Sequence, residues 1–179
     1  SGVFAMSCRH VLLCPNGVCD LTKGEGFHYV DVPMSMVINT AIDRGLRDLV
    51  ISYDIACKYS INFLNRVCAS PYPLLPPDVQ SLVSITWLIG KFHLGGHREE
   101  CHQSFNFNYT PGVGRMSGEL VETIWSYFDY LKYQTREMGP GARQEMLSDA
   151  MNYWNWRKIV KLGMLQSGAA ALILITSST

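Results

Sequence analysis

The sequence predicts an α/β domain, and three observations carry the prediction. Leu49-Val50-Ile51-Ser52-Tyr53 is a short run of β-branched and aromatic residues that ends on an acid, Asp54. Directly after it, Ile55, Tyr59, Phe63 and Val67 recur at every fourth position, the spacing of one helix face. Apolar residues make up 47% of the chain and charged residues 17%, below the globular norm of about 25% charged, so a packed core is expected and general disorder is excluded. A strand, an acid at its carboxyl end and a helix packed back on it form an α/β unit.

The elements follow in order. A strand is expected over 49–53 and a helix over about 55–68. Four prolines in Ser70-Pro71-Tyr72-Pro73-Leu74-Leu75-Pro76-Pro77-Asp78 forbid helix or central strand there, so this is the linker-like loop between two lobes. The apolar stretch 82–94 reads as a second strand or a buried helix, which periodicity does not decide. Phe105-Asn106-Phe107-Asn108-Tyr109 alternates with period two, as in an edge strand, and the turn Pro111-Gly112-Val113-Gly114 follows. A helix is expected over about 117–132 with Ser117 as N-cap, and a last one over 143–162 carrying Met146, Ala150, Tyr153, Trp154 and Arg157.

At 179 residues the chain is one domain by the yardstick of roughly 100–200 residues each. Lys plus Arg is 15 and Asp plus Glu is 15, so the net charge of +0 provides no global basic field and any DNA contact must be local. Six cysteines, at positions 8, 14, 19, 57, 68 and 101, are too sparse for a disulfide scaffold and come without a secretory signal, so reduced thiols are expected. The longest apolar run, Ala169 to Ile175, is far below the roughly 20 residues of a membrane span. The chain opens at Ser1 on sequence that reads as mid-domain, and the start of the native protein is expected to lie upstream.

Several residues could carry chemistry. Asp54 stands at the carboxyl end of a strand, where α/β sheets gather ligands, although Asp there also serves as an N-cap. Glu119 and Glu122 are three apart and share one side of a helix start; they complement the helix dipole, and with Asp54 they would supply the oxygen ligands that Mg²⁺ takes. His93, His97 and Cys101 fall at intervals of four beside His102, and Cys8 and His10 form a second imidazole–thiolate pair, a ligand chemistry suited to Zn²⁺. Gly95-Gly96 weakens the helix that would align the first two. Cys14, Cys19, Cys57 and Cys68 read as small buried apolar groups. The tracts Trp125 to Tyr130 and Tyr153 to Lys158 read as core packing before base stacking. Arg136 and Arg143 flank a Gly/Pro turn that could touch phosphate or lie in a solvated loop.

Longer motifs carry a resemblance. Asn16-Gly17-Val18-Cys19-Asp20-Leu21, Ser52-Tyr53-Asp54-Ile55-Ala56-Cys57-Lys58-Tyr59, Lys91-Phe92-His93-Leu94 through Cys101, Phe105 to Arg115, Gly118-Glu119 to Trp125, Thr135 to Gly141 and Trp154-Asn155-Trp156-Arg157-Lys158 resemble the KDZ (Kyakuja–Dileera–Zisupton) transposases of mushroom-forming fungi, in the same order over about 3–163. The tail 164–179 matches nothing familiar and is expected to be unrelated or out-of-frame sequence.

The resemblance implies a partial RNase H-like fold with a helical C-terminal part, and DDE-type DNA cleavage and strand transfer with Mg²⁺ or Mn²⁺. Asp54 falls on the family's Tyr-Asp-Ile-Ala-Cys motif as the second catalytic carboxylate. Glu122 is favoured as the catalytic Glu, with Glu119 the alternative. Cys8, His10, His93, His97 and Cys101 fall on positions that look like family zinc ligands; Cys8, His10, Cys101 and one of the His93/His97 pair would close a structural site. Arg115, Arg136 and Arg143 become the DNA-contact candidates, with transposon ends and target DNA as partner, self-association and a nuclear location.

Two departures stand out. The family's first catalytic Asp and its strands lie upstream of anything present, which implies that this chain alone is inactive. Arg115-Met116-Ser117-Gly118 replaces the usual Arg-Thr-Asp-Gly and loses an acid. The rival reading is a transposon-derived remnant that binds DNA or protein without catalysis. A zinc hydrolase built on His93, His97 and Cys101 is the weaker third, because no general base stands beside those ligands.

Overall fold

The computed structural model describes residues 2–21, 26–69 and 71–162 in full and the backbone of 172–178. Its elements are β1 (Gly2–Cys8), β2 (Leu13–Leu21), α1 (Phe27–Asp43), β3 (Asp48–Ser52), α2 (Ala56–Tyr59), a 3₁₀ turn (Ser60–Asn62), α3 (Phe63–Cys68), α4 (Val79–Leu82), β4 (Ser84–Leu88), α5 (Lys91–Leu94), α6 (Glu99–Ser104), α7 (Glu122–Thr135), α8 (Pro140–Leu162) and β5 (Leu172–Ser178). The α/β class holds.

One mixed sheet runs in the order β2-β1-β5-β3-β4. β1 pairs antiparallel with β2 and with β5, whereas β3 runs parallel to both β5 and β4. Both faces are covered. Phe4 and Met6 of β1, with Leu49 and Ile51 of β3, pack with α1, α2 and α3 on one side. Val3 and Ala5, the alternate β1 residues, pack with Ile124, Phe128 and Leu131 of α7 and Met151 and Trp154 of α8 on the other. A strand buried on both faces shows no polar alternation, which is why Val3-Phe4-Ala5-Met6 carries no period-two signal.

The expected helix over 55–68 is interrupted by the Ser60–Asn62 turn, and Ser and Asn compete with helical bonding through their own side chains. The stretch 82–94 resolves into both alternatives in succession, β4 and then α5. The alternating segment 105–109 forms no named strand; one parallel bridge joins Asn106 to Ile89 at the end of β4. The expected helix start at Ser117 moves to Glu122, because Gly118 stands at φ +80°, a left-handed conformation that breaks the helix. Most of the tail 164–179 lies outside the described residues, but its 172–178 backbone pairs at the centre of the sheet.

Polar bonds fasten the layers. Trp154 Nε1 donates to the Val11 carbonyl at 2.7 Å, and Asn155 bonds the Leu13 backbone both ways, at 2.8 and 3.0 Å, tying α8 to the β1–β2 hairpin. Val11 holds φ 63°, a costly conformation for a β-branched residue, in a buried position fixed by that Trp154 bond. On the opposite face the buried Asp31 accepts from Tyr59 Oη at 2.7 Å and from Arg66 Nε and Nη2 at 2.8 and 2.9 Å. The Arg66 guanidinium lies 4.9 and 4.8 Å from the Phe27 and Tyr59 ring centres.

Candidate functional site

The site begins where β3 stops. Tyr53 extends the parallel ladder one step, its N–H donating to Leu88 O at 2.9 Å, and its ring is buried edge-on to Phe4 and Tyr59. Asp54, the next residue, therefore emerges at the carboxyl end of β3 beside the end of β4. β4 hands the chain through Gly90 into α5, and Lys91 N–H donates to Ser117 O at 2.9 Å, drawing the 117–122 segment alongside. Gly118 makes that approach feasible: a Cβ there would meet the Phe107 ring at 2.9 Å and Ser52 Oγ at 3.0 Å.

Four side chains converge as a result. His93 Nε2 lies 3.7 Å from Asp54 Oδ1, 3.8 Å from Glu119 Oε2 and 3.3 Å from Glu122 Oε1. Glu119 is the better anchored glutamate. Its Oε1 accepts from Phe92 N–H at 2.9 Å, and its side chain is 23% exposed against 58% for Glu122. Gly90 is packed directly beneath, since a Cβ at that position would collide with the Glu119 carboxylate. His93, Glu119 and Glu122 bring one ligand atom each within 4.8 Å of one another.

A second cluster adjoins it. Cys57 Sγ and His97 Nδ1 are 3.4 Å apart, and with Cys101 Sγ all three atoms lie within 4.8 Å of one another. Burial and the neighbouring Cys101 thiol push the Cys57 thiol up. His102 Nε2 donates to the His97 carbonyl at 3.1 Å, holding the turn between α5 and α6.

The expected zinc set is thus divided. His93 turns to the carboxylates, while His97 and Cys101 meet Cys57, which sequence reasoning had placed in the core. Cys8 and His10 belong to no such ligand cluster among the described residues. Cys8 instead neighbours Cys14, adding to the burial that pushes the Cys14 thiol up to about 12. A signal for Cys57 did exist: it stands three positions after Asp54, as His97 stands four after His93, so one pair of segments carries both clusters.

The three arginines differ. Arg115 is exposed. Arg136 is exposed too and pairs loosely with Glu137 at 3.6 Å. Arg143, expected at a phosphate, has a side chain only 12% exposed and its guanidinium is engaged: it grips Asp20 at 2.8–3.0 Å and bonds Thr135 O and Oγ1 at 3.0 and 2.9 Å. It fastens α8 to α7 and β2. Of the aromatic tracts, Tyr127, Phe128 and Trp154 pack together, whereas Tyr153 and Trp156 stack on each other at the surface, 52% and 59% exposed.

An acid at the carboxyl end of a parallel strand and two more on the segment that a glycine turn draws alongside, all three facing one imidazole, define a candidate divalent-cation site on an α/β scaffold. The model of the family described as Kyakuja-Dileera-Zisupton transposase matches residues 1–155, and the chain belongs to the KDZ transposase family. No curated protein and no solved structure gives a significant match. Among the described residues no helix is long and apolar enough to cross a membrane.

Proposed function

We propose that the chain supplies catalytic carboxylates of a DDE-type transposase with an RNase H-like fold, which cuts and joins DNA with Mg²⁺ or Mn²⁺. The observation that carries the reading is the convergence of Asp54, Glu119 and Glu122 on His93 at 3.3 to 3.8 Å. Carboxylates from separate segments are the hard oxygen donors such ions take, and an imidazole among them favours Mn²⁺ over Mg²⁺. When bound, divalent ions polarise a phosphodiester oxygen and make a nucleophile available at neutral pH.

The chain's own residues do the rest. Asp54 presents its carboxylate from just beyond β3 and Glu122 from the start of α7, and Glu119 is oriented by Phe92 N–H so that its second oxygen faces His93. Exposed Arg115 and Arg136 are the phosphate contacts of this reading; Arg143 leaves that role to them. The partner is transposon-end and target DNA, the place of action the nucleus, and self-association belongs to the same expectation.

Two measurements test it. Mn²⁺ binding to this chain, followed by electron paramagnetic resonance, should weaken at least tenfold in Asp54→Asn. The full-length protein should nick transposon-end DNA with Mn²⁺, and the same substitution should abolish cutting. Undiminished cutting by Asp54→Asn would overturn the reading. The non-catalytic remnant is favoured by Met116 and Ser117, where the family pattern has Thr and Asp: Ser117 accepts backbone bonds from Lys91 N–H and Glu119 N–H and brings no carboxylate. It predicts DNA or protein binding with no dependence on Asp54.

A further inference from the structure

The geometry points to a second, separate metal site: we propose that Cys57, His97 and Cys101 bind one zinc ion, which clips the α5–α6 segment to α2. It is distinct from the carboxylate site in residues and in ligand chemistry, and it stands whether or not the chain cuts DNA.

Distance is the first argument. Around a tetrahedral zinc with Zn–S of about 2.3 Å and Zn–N of about 2.0–2.1 Å, sulfur and nitrogen ligands sit roughly 3.5 Å apart. Cys57 Sγ and His97 Nδ1 are 3.4 Å apart, and Cys101 Sγ completes a triangle with no edge above 4.8 Å. The three side chains are close enough to supply three corners of a tetrahedron, and at this partly exposed site water would take the fourth.

Charge is the second. Two thiolates neutralise the ion, so a half-buried Cys₂His site carries no net charge into the fold, and a thiolate pair selects zinc over the hard cations that carboxylates hold.

Need is the third. α5 and α6 are one-turn and two-turn helices, joined through Gly95 and Gly96. Short helices with glycine between them are marginal alone, and a metal that binds only the folded arrangement adds its binding energy to folding. The backbone bonds that close this turn, Gly96 N–H to His93 O and His97 N–H to Leu94 O, are both 3.0 Å and already aim His97 back at α2.

The test is metal content. The chain purified in reductant should carry one zinc by plasma mass spectrometry, and Co²⁺ substitution should give intense tetrahedral visible bands with a thiolate charge-transfer band in the near ultraviolet. Cys57→Ser and Cys101→Ser should each lose the zinc, whereas Cys8→Ser and His10→Ala should keep it. His97→Cys covers the case in which the serine variants do not fold: it retains the metal and strengthens the charge-transfer band through a third thiolate. Zinc retained at full content in a folded Cys57→Ser chain would overturn the proposal. So would equal loss in Cys8→Ser, or a folded native chain, purified in reductant, that carries no zinc and takes up none when it is added. Failure of the DNA-cutting reading appears only in the Asp54→Asn assays and leaves these readouts unmoved.

Discussion

Cys57 Sγ lies 3.4 Å from His97 Nδ1, and the two residues follow Asp54 and His93 by three and four positions respectively. One turn of chain on each side therefore separates the thiol–imidazole cluster from the carboxylate–imidazole cluster. In the second cluster His93 Nε2 and Asp54 Oδ1 are 3.7 Å apart, and a clip on the first pair is expected to hold that spacing. Removing zinc with a strong chelator should lower Mn²⁺ affinity at the carboxylates about tenfold, equivalent to about 1.4 kcal/mol. Calorimetric titration of Mn²⁺ before and after chelation is the measurement, and identical affinities would show that the two clusters are uncoupled.

The glutamates should separate by anchoring. Glu119 has one oxygen fixed by Phe92 N–H and is the less exposed of the two, whereas Glu122 reaches His93 from the first turn of α7. Glu119→Gln keeps one carbonyl acceptor for Phe92 but loses the charge in the drier position. It should weaken Mn²⁺ binding several-fold more than Glu122→Gln, in parallel titrations.

Two glycines offer a contrast between folding and site geometry. Gly118→Ala meets both a positive φ of 80° and the buried Phe107 ring, so it should cost about 1–3 kcal/mol of stability in urea unfolding. Gly90→Ala meets the Glu119 carboxylate first, the far end of a flexible side chain. Its stability should change by no more than about 0.5 kcal/mol while Mn²⁺ affinity falls, because relief of the clash displaces the carboxylate itself.

The local α/β unit was legible because every cue lay within about twenty residues: a β-branched run, an acid and a four-residue repeat. A partnership of Asp54 with Glu119 and Glu122 stood in the sequence beside capping and dipole roles, and motif resemblance, not spacing, singled it out. Other parts were hidden for physical reasons. α1 starts after Gly26 without a side-chain cap or an acidic first turn and carries Pro33 inside it, so its start left no local mark, and only Gly45, at φ 74° just past its last turn, signals where it stops. Cys57 looked like core because its partners stand forty and forty-four positions away. Arg143 looked like a phosphate ligand because Asp20, which occupies it, comes from the other end of the chain.

Thiol ionisation gives stability a dependence on alkaline pH. Burial, with Cys8 adding to it, raises Cys14 from 9.0 to about 12, and burial with Asp20 raises Cys19 to about 11. Cys19 Sγ also donates to Tyr29 O at 3.1 Å, which needs the neutral thiol. Because each folded-state value lies above the unfolded one, the stabilisation is complete below pH 9.0 and drains away as pH rises through 11 and 12. Tm should decline across that window, and the Cys14→Ser/Cys19→Ser double variant should show a flatter decline relative to its own value at pH 8.

The last prediction concerns the strand order. β5 is the only strand joining the β1–β2 hairpin to the parallel β3–β4 pair among the described residues. Ile173 is paired on both sides, with Cys8 of β1 and Ile51 of β3. A strand at the centre of a sheet has both backbone edges committed, so proline there removes a ladder donor and leaves its acceptor unsatisfied, at about 1–3 kcal/mol. Ile173→Pro should lower stability by that amount, and removal of residues 171–179 should do more. The truncated chain would expose the inner edges of β1 and β3, two unpaired strands that invite pairing with another molecule. Hydrogen exchange should then show lost protection in β1 and β3 while the outer strands β2 and β4 change least, and light scattering should report concentration-dependent association. Unchanged protection of β1 and β3 after the truncation would show that the C-terminal segment does not complete the sheet.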